Sequence, residues 1–177
     1  TTSSEFSGKL NNQYLEFSSL RADSISSSLV VVEPNYKVAI YSSKKGKIWS
    51  SPKSLDSIVN NKNYHNANGT YSIKGDFYVF SRCDSLNSCK LFYSKTINNK
   101  MSNPVELPEK INNKGANTTH PNIAKIKDKQ FLFFSSNRKG GQGNLDIWYS
   151  EILDGPTFSK AINAGNFINS ADPEITP

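Results

Sequence analysis

Three short signals recur along this chain in the same order and with a period near fifty residues, which leaves few folds open to it. An aliphatic residue before Asn and a further polar residue appears as Leu10-Asn11-Asn12, Val59-Asn60-Asn61, Ile111-Asn112-Asn113 and Ile168-Asn169-Ser170, in steps of 49, 52 and 57 residues. A bulky residue before Tyr-Ser appears as Ile40-Tyr41-Ser42, Phe92-Tyr93-Ser94 and Trp148-Tyr149-Ser150, in steps of 52 and 56. A closing segment completes each copy: Ser51-Pro52-Lys53-Ser54-Leu55, Asn103-Pro104-Val105-Glu106-Leu107 and Ser159-Lys160-Ala161-Ile162. A unit this small cannot bury its own apolar face, so the copies must stack on one another.

The third copy shows what each unit is. Phe131, Leu132, Phe133 and Phe134 form an apolar run too short for a lone helix, and Leu145, Ile147, Trp148 and Tyr149 resume it after a loop holding Gly140, Gly141, Gly143 and Asn144. Glycine and asparagine take positive φ at low cost, so the stretch reads as a β-hairpin. The same reading gives strands at about 16–20, 29–32, 38–42 and 48–55 in the first copy. The second gives 69–73, 77–81, 91–94 and 101–107, and the third 121–126, 131–135, 146–151 and 158–162. No amphipathic helix of useful length appears. Four-stranded antiparallel units of about fifty residues are the blades of a β-propeller. The expectation is an all-β, partial propeller of three complete blades, at 10–58, 59–110 and 111–167, with 1–9 ending a preceding blade and 168–177 starting the next. Because rings close with about 4 to 8 blades, the open ends call for the remaining blades in cis or for a second copy of the chain.

Composition narrows the function classes. At 177 residues and 36% hydrophobic the chain buries one sizeable core. Its net charge of +6 comes from dispersed Lys, without the basic stripe of a nucleic-acid footprint. No run approaches the roughly 20 apolar residues of a membrane span, and TTSSEFSGKL lacks a secretion signal, so direct membrane insertion is not expected and any targeting segment lies outside this sequence. Cys83 and Cys89 flank a five-residue loop where the third copy has its glycines. A disulfide there would staple a hairpin and suit an oxidising compartment; the alternative is two free thiols. Two cysteines, with His65 and His120 at no ligand-like spacing, give no metal site, and the glycines around Gln142 lack the following helix of a phosphate cradle. No cofactor is expected.

The stretch His120-Pro121, the linker Lys127-Asp128-Lys129, FLFFSSNRKGGQGNLDIWYSE, FSKAINAGNFINS and ADPEITP together resemble the TolB-like propeller repeat, a relative of the WD40 repeat found in bacterial envelope proteins. The first copy keeps the order but has Glu33-Pro34-Asn35 in place of Ser-Asn-Arg, and the second keeps only Ser81-Arg82. That resemblance implies a periplasmic or outer-membrane-associated location, often beside an OmpA-like domain. It also implies a non-catalytic platform that binds a protein or peptide of the envelope; no OmpA-like segment is present here.

In such a platform the inter-blade connections and the loops after each second strand share one face. Near the channel on that face the reading places Tyr14, Glu16, Tyr64, His65, Asn117, His120 and Asp172, with Asn35, Asn87, Arg138, Lys139 and Gln142 further out. Arg138 and Asp146 read as a pair across the loop, and His65 and His120 as equivalent residues in successive copies. The competing reading is a carbohydrate-active propeller enzyme, of glycosidase or sialidase type. Ser43-Lys44-Lys45-Gly46-Lys47-Ile48-Trp49 faintly resembles the sialidase aspartate box, although Lys45 stands near the place of the aspartate. Hydrolysis of a glycoside uses two carboxyl groups roughly 5 to 9.5 Å apart, and no such pair stands out in the sequence. The expectation is therefore that the chain is not an enzyme.

Overall fold

A computed structural model of the chain describes residues 4–22, 36–98 and 100–177. Its strands form three antiparallel sheets taken up in chain order. The first contains β1 (Ser4–Asn11), β2 (Tyr14–Ala22), β3 (Tyr36–Lys44) and β4 (Lys53–Ser54). In the second, β5 (His65–Tyr71), β6 (Phe77–Cys83) and β7 (Cys89–Ile97) are followed by the short strands β8 (Lys100–Met101) and β9 (Val105–Glu106), both paired with β7. The third repeats this plan with β10 (Thr118–Ile126), β11 (Lys129–Ser136) and β12 (Asp146–Asp154), against which β13 (Thr157–Phe158) and β14 (Ile162–Asn163) pair. In each sheet the first three strands form a meander whose neighbours in space are neighbours in sequence, with short strands paired on the third, which is the build of a propeller blade. The chain is an all-β, partial β-propeller.

The middle sheet shows why its strands read as wholly apolar. Successive side chains of a strand point to opposite faces, and β6 has a neighbouring sheet on each. Phe77 and Val79 join Ile123, Leu132 and Phe134 of the third sheet in one core, while Tyr78 and Phe80 join Ile40 of the first sheet in another. A strand buried on both sides cannot alternate apolar with polar residues.

The recurring Asn is a clamp on the backbone. Asn60 accepts from the Ile40 N–H at 2.9 Å and donates to the Ile40 carbonyl at 2.7 Å. Asn112 does the same to Leu91, at 2.9 Å each way, and Asn169 to Ile147, at 2.8 and 3.0 Å. Each ties the turn that leaves one blade to the third strand of that blade, satisfying backbone groups that the broken fourth strand leaves open. A second device is a buried serine at the far end of the same strand: Ser43, Ser94 and Ser150 donate to the carbonyls of Ser50, Ser102 and Ser159 at 2.5, 2.6 and 2.8 Å.

These contacts correct the sequence alignment. Ser43, not Ser42, matches Ser94 and Ser150, so the first Tyr-Ser marker is one residue out. Residues 4–9 do not end a preceding blade; they belong to β1, which pairs with β2 and heads the first sheet. The segment 16–20 is accordingly a second strand. The expected strand at 29–32 and the loop containing Asn35 lie outside the described residues. Residues 168–177 carry no strand and lie against the third sheet, where Ser135 donates to the Ile175 carbonyl at 2.7 Å.

Candidate functional site

The innermost strands β1, β5 and β10 each break register once, between Phe6 and Lys9, Ala67 and Thr70, and Thr119 and Asn122. At each break one residue takes the left-handed conformation: Ser7 at φ 54°, Asn68 at 56° and His120 at 52°. Such a bulge bends the strand and re-aims its side chains. It also turns a backbone N–H towards the preceding sheet, so that Asn68 donates to Ser18 Oγ at 2.9 Å and His120 to Ser81 Oγ at 3.0 Å. Ser18 and Ser81 are both buried on second strands, and Ser135 holds the same place in the third sheet.

The three bulges converge on a cavity of about 220 Å³, lined by residues 7–9, 68–69, 120–122 and 176–177. Lys9 Nζ spans it from the first sheet to the third, donating to Asn122 Oδ1 at 2.6 Å. Burial pushes the Lys9 amine down to about 8, against the pull of the nearby Glu16 carboxylate. Asn68 Oδ1 and His120 Nδ1 are buried without a hydrogen-bond partner. Burial lowers the His120 pKa, so its ring favours the neutral form, in which one nitrogen accepts.

Lys9 also lines a second, adjoining cavity of about 240 Å³ with Glu16, Tyr71 and Ile123. Glu16 sits opposite Lys9 in the β1–β2 register and is 7% exposed. Its carboxylate accepts from Tyr78 Oη at 3.1 Å and from Tyr71. Burial nevertheless raises its pKa, only partly offset by the two tyrosines and Lys9. Gly69 makes this contact possible, because a Cβ there would lie 1.5 Å from Tyr78 Oη.

The residues singled out from sequence do not gather in one place. His120 lines the channel cavity and Glu16 the adjoining one. Tyr14 and Glu16 start β2 beside the β1–β2 hairpin, at the opposite end from the face assigned to them, because β1 and not β2 is the inner strand. Tyr14 is exposed, with Lys44 Nζ 5.8 Å from its ring centre. His65 accepts from the Val38 N–H at 3.2 Å and Asn117 from the Cys89 N–H at 2.9 Å, so both side chains hold backbone. Through the strand register Asn117 is the counterpart of His65, while His120 is the counterpart of Asn68; the two histidines are not equivalent.

Arg138 is not a surface contact. It is 8% exposed, lies over the rings of Phe134 and Trp148, and donates to Ser136 Oγ and the Ile111 carbonyl. Asp146, read as its partner, instead accepts from the Gln142 N–H at 2.9 Å and the Gly143 N–H at 3.3 Å. Lys139 is exposed on that loop, and Asp172 lies beside it, its carbonyl 2.7 Å from where a Gly143 Cβ would stand. Tyr64 lies away from the channel, in a cleft on the second sheet. Cys83 and Cys89 form a disulfide across the end of β6 and β7.

Sequence reasoning misses Lys9, Asn68, Gly69, Tyr78 and Asn122. The one signal is the Asn68-Gly69 pair in an otherwise extended segment, which marks the bulge of β5 and leaves the other three unmarked.

No known family model matches the chain, and no curated protein does. Among solved structures it is similar to an endo-arabinase from Bacteroides thetaiotaomicron VPI-5482, at 14% identity and a TM-score of 0.54 over 89% of this chain. It is also similar to the catalytic domain of a GH62 α-L-arabinofuranosidase from Coprinopsis cinerea, at 13% identity and a TM-score of 0.49 over 94% of this chain. The chain spans 61% and 50% of the lengths of those two proteins. At these identities the likeness speaks to fold, and the fold is a β-propeller. It counts against the expectation that the chain is not an enzyme, since the solved structure with this fold is that of an endo-arabinase.

Proposed function

We propose that this chain is part of a carbohydrate-active propeller and that its channel cavity holds a sugar residue of a polysaccharide. The observation that carries this reading is the pair of unpartnered buried acceptors, Asn68 Oδ1 and His120 Nδ1, beside a cavity also lined by Lys9 and by Asn122, whose amide accepts from Lys9 at 2.6 Å and donates to the Pro177 carbonyl at 3.0 Å. A sugar hydroxyl donates and accepts at once, so a ring in this cavity completes hydrogen bonds the protein leaves open. The endo-arabinase likeness favours a pentose polysaccharide as the substrate class. Glu16 is the candidate acid. Among the described residues it is the one carboxylate side chain lining these two cavities, and burial raises its pKa, the direction a general acid in glycoside hydrolysis needs.

Two further elements belong to the same proposal. The Cys83–Cys89 disulfide suits an oxidising compartment, in keeping with an envelope location and with the TolB-like repeat pattern. Ala124, Phe133, Ile147, Ile168 and Ile175 line an apolar cavity of about 550 Å³ on the outer side of the third sheet, where further blades in cis would pack.

The experiment is a calorimetric titration with linear arabino-oligosaccharides, paired with an assay for reducing ends released from arabinan. Saturable binding that weakens at least tenfold in Asn122→Ala supports the reading, a loss of about 1.4 kcal/mol. Binding indifferent to Asn122→Ala, or no binding to any neutral oligosaccharide, contradicts it.

A further inference from the structure

A second cleft, of about 250 Å³, opens on the second sheet away from the channel. Tyr64, 37% exposed, forms one wall, and the Arg82 guanidinium lies 5.3 Å from the centre of its ring. Arg82 is held from behind: Nε donates to Asn66 Oδ1 at 2.9 Å and Nη2 to the Val59 carbonyl at 3.0 Å. Lys90 and Glu106 form the opposite wall, paired at 2.7 Å, and Asp84 closes the end with its carboxylate accepting the Leu86 and Ser88 N–H groups at 2.9 Å.

Comparison with the third sheet shows that the frame does not require this cleft. Arg138 performs the Arg82 task there while buried between two rings. The strand register sets Ala116, Asp146 and Asn163 in the places of Tyr64, Lys90 and Glu106. One oxygen of Asp146 accepts loop N–H groups and the Asn163 oxygen accepts from the Gly165 N–H at 2.8 Å, so both side chains are turned into their own loop. The second sheet thus departs from the repeat by adding an exposed aromatic face and a rim of charged groups.

We infer that this cleft is an accessory binding site for a neutral oligosaccharide, with one sugar ring packed against the exposed part of Tyr64 and its hydroxyls reaching Arg82, Lys90 and Glu106. Two cations and two carboxylates line it, so its net charge is zero and it presents both donors and acceptors. That balance matches a polyol and opposes an acidic sugar. An aromatic face provides apolar contact area with little conformational freedom to lose. The inference rests on the polysaccharide reading above but not on the channel being the place where the chain is held.

The test is isothermal titration of the intact chain with linear arabinotetraose, alongside tetragalacturonate as the acidic comparison. Two sites are expected for the neutral sugar. Tyr64→Ala should weaken one of them at least tenfold, and Glu106→Gln, which keeps the size of the side chain, should weaken the same one severalfold. Asn122→Ala should spare that site and weaken the other. If Tyr64→Ala and Glu106→Gln both bind arabinotetraose as the parent does, the inference falls and the channel reading stands. If they remove all binding while Asn122→Ala has no effect, the inference stands and the channel reading falls. Preference for tetragalacturonate at the Tyr64 site overturns the assignment to a neutral ligand.

Discussion

The second and third sheets share a skeleton and differ at its cap. Asn112 and Asn169 clamp the same backbone groups, Ser94 and Ser150 fasten the same corner, and Arg82 and Arg138 each lie over a third-strand aromatic ring. At the loop between the second and third strands the two part company. The second sheet closes it with a covalent bond between Cys83 and Cys89, whereas the third folds a glycine-rich loop around the buried Asp146 carboxylate. The common polar side chains satisfy backbone that a propeller blade always leaves open, so they are fixed by the fold. The cap carries no such obligation. In the third sheet Arg138 is buried; in the second Arg82 lines an open cleft.

The comparison is sharpened first by removing each cap's own fastening. Asp146→Ala strips two N–H groups of their acceptor at a fully buried position and should cost about 3 kcal/mol, lowering Tm by roughly 6–12 °C. Reducing the other cap with the Cys83→Ser, Cys89→Ser pair should cost about 2 kcal/mol, the loop-closure value for a short sequence separation. Denaturant melts of the two variants measure both. If the disulfide variant is the less stable, the caps are not the local devices described here.

A smaller effect separates the two interfaces of the middle sheet. Towards the third sheet β6 presents Phe77 and Val79 to an apolar core; towards the first it presents Tyr78 to a buried carboxylate. Because the Glu16 pKa is raised in the fold, its protonated form is favoured there: its contribution to stability is fully present below the unfolded value near 4.5 and is lost as pH rises through the folded value. Glu16→Gln removes that loss and should stabilise the chain at pH 7 by on the order of 1 kcal/mol. The difference should vanish near pH 4. Thermal melts of parent and variant across pH 4 to 8 measure it, and a constant offset would show that Glu16 keeps an ordinary pKa.

Much of this architecture is legible in the sequence, and the failures have physical causes. The second and third sheets stand out because their middle strands are buried on both faces. The first sheet is displaced by one strand in the reading because β1 is mostly exposed and gives no apolar alternation. Asn60, Asn112 and Asn169 are visible as a periodic signal, but their clamping role is not, since each partner lies 20 to 22 residues earlier in the chain. The channel is the least legible part. Lys9, Asn68, His120 and Asn122 meet through one bulge per inner strand, and a change of one residue in register leaves only a faint local mark. Arg138 is misread for the opposite reason: a charge beside a glycine-rich loop looks exposed, and two aromatic rings bury it.

The central claim is that the three inner-strand bulges build a sugar-binding cavity on the propeller axis. The most direct measurement is a crystal structure of the chain soaked with linear arabinotriose. The account predicts a sugar ring among Lys9, Asn68, His120 and Asn122, with hydroxyls within hydrogen-bond distance of Asn68 Oδ1 and His120 Nδ1. A cavity that holds only water at saturating sugar, with those two acceptors bonded to the protein itself, would contradict it.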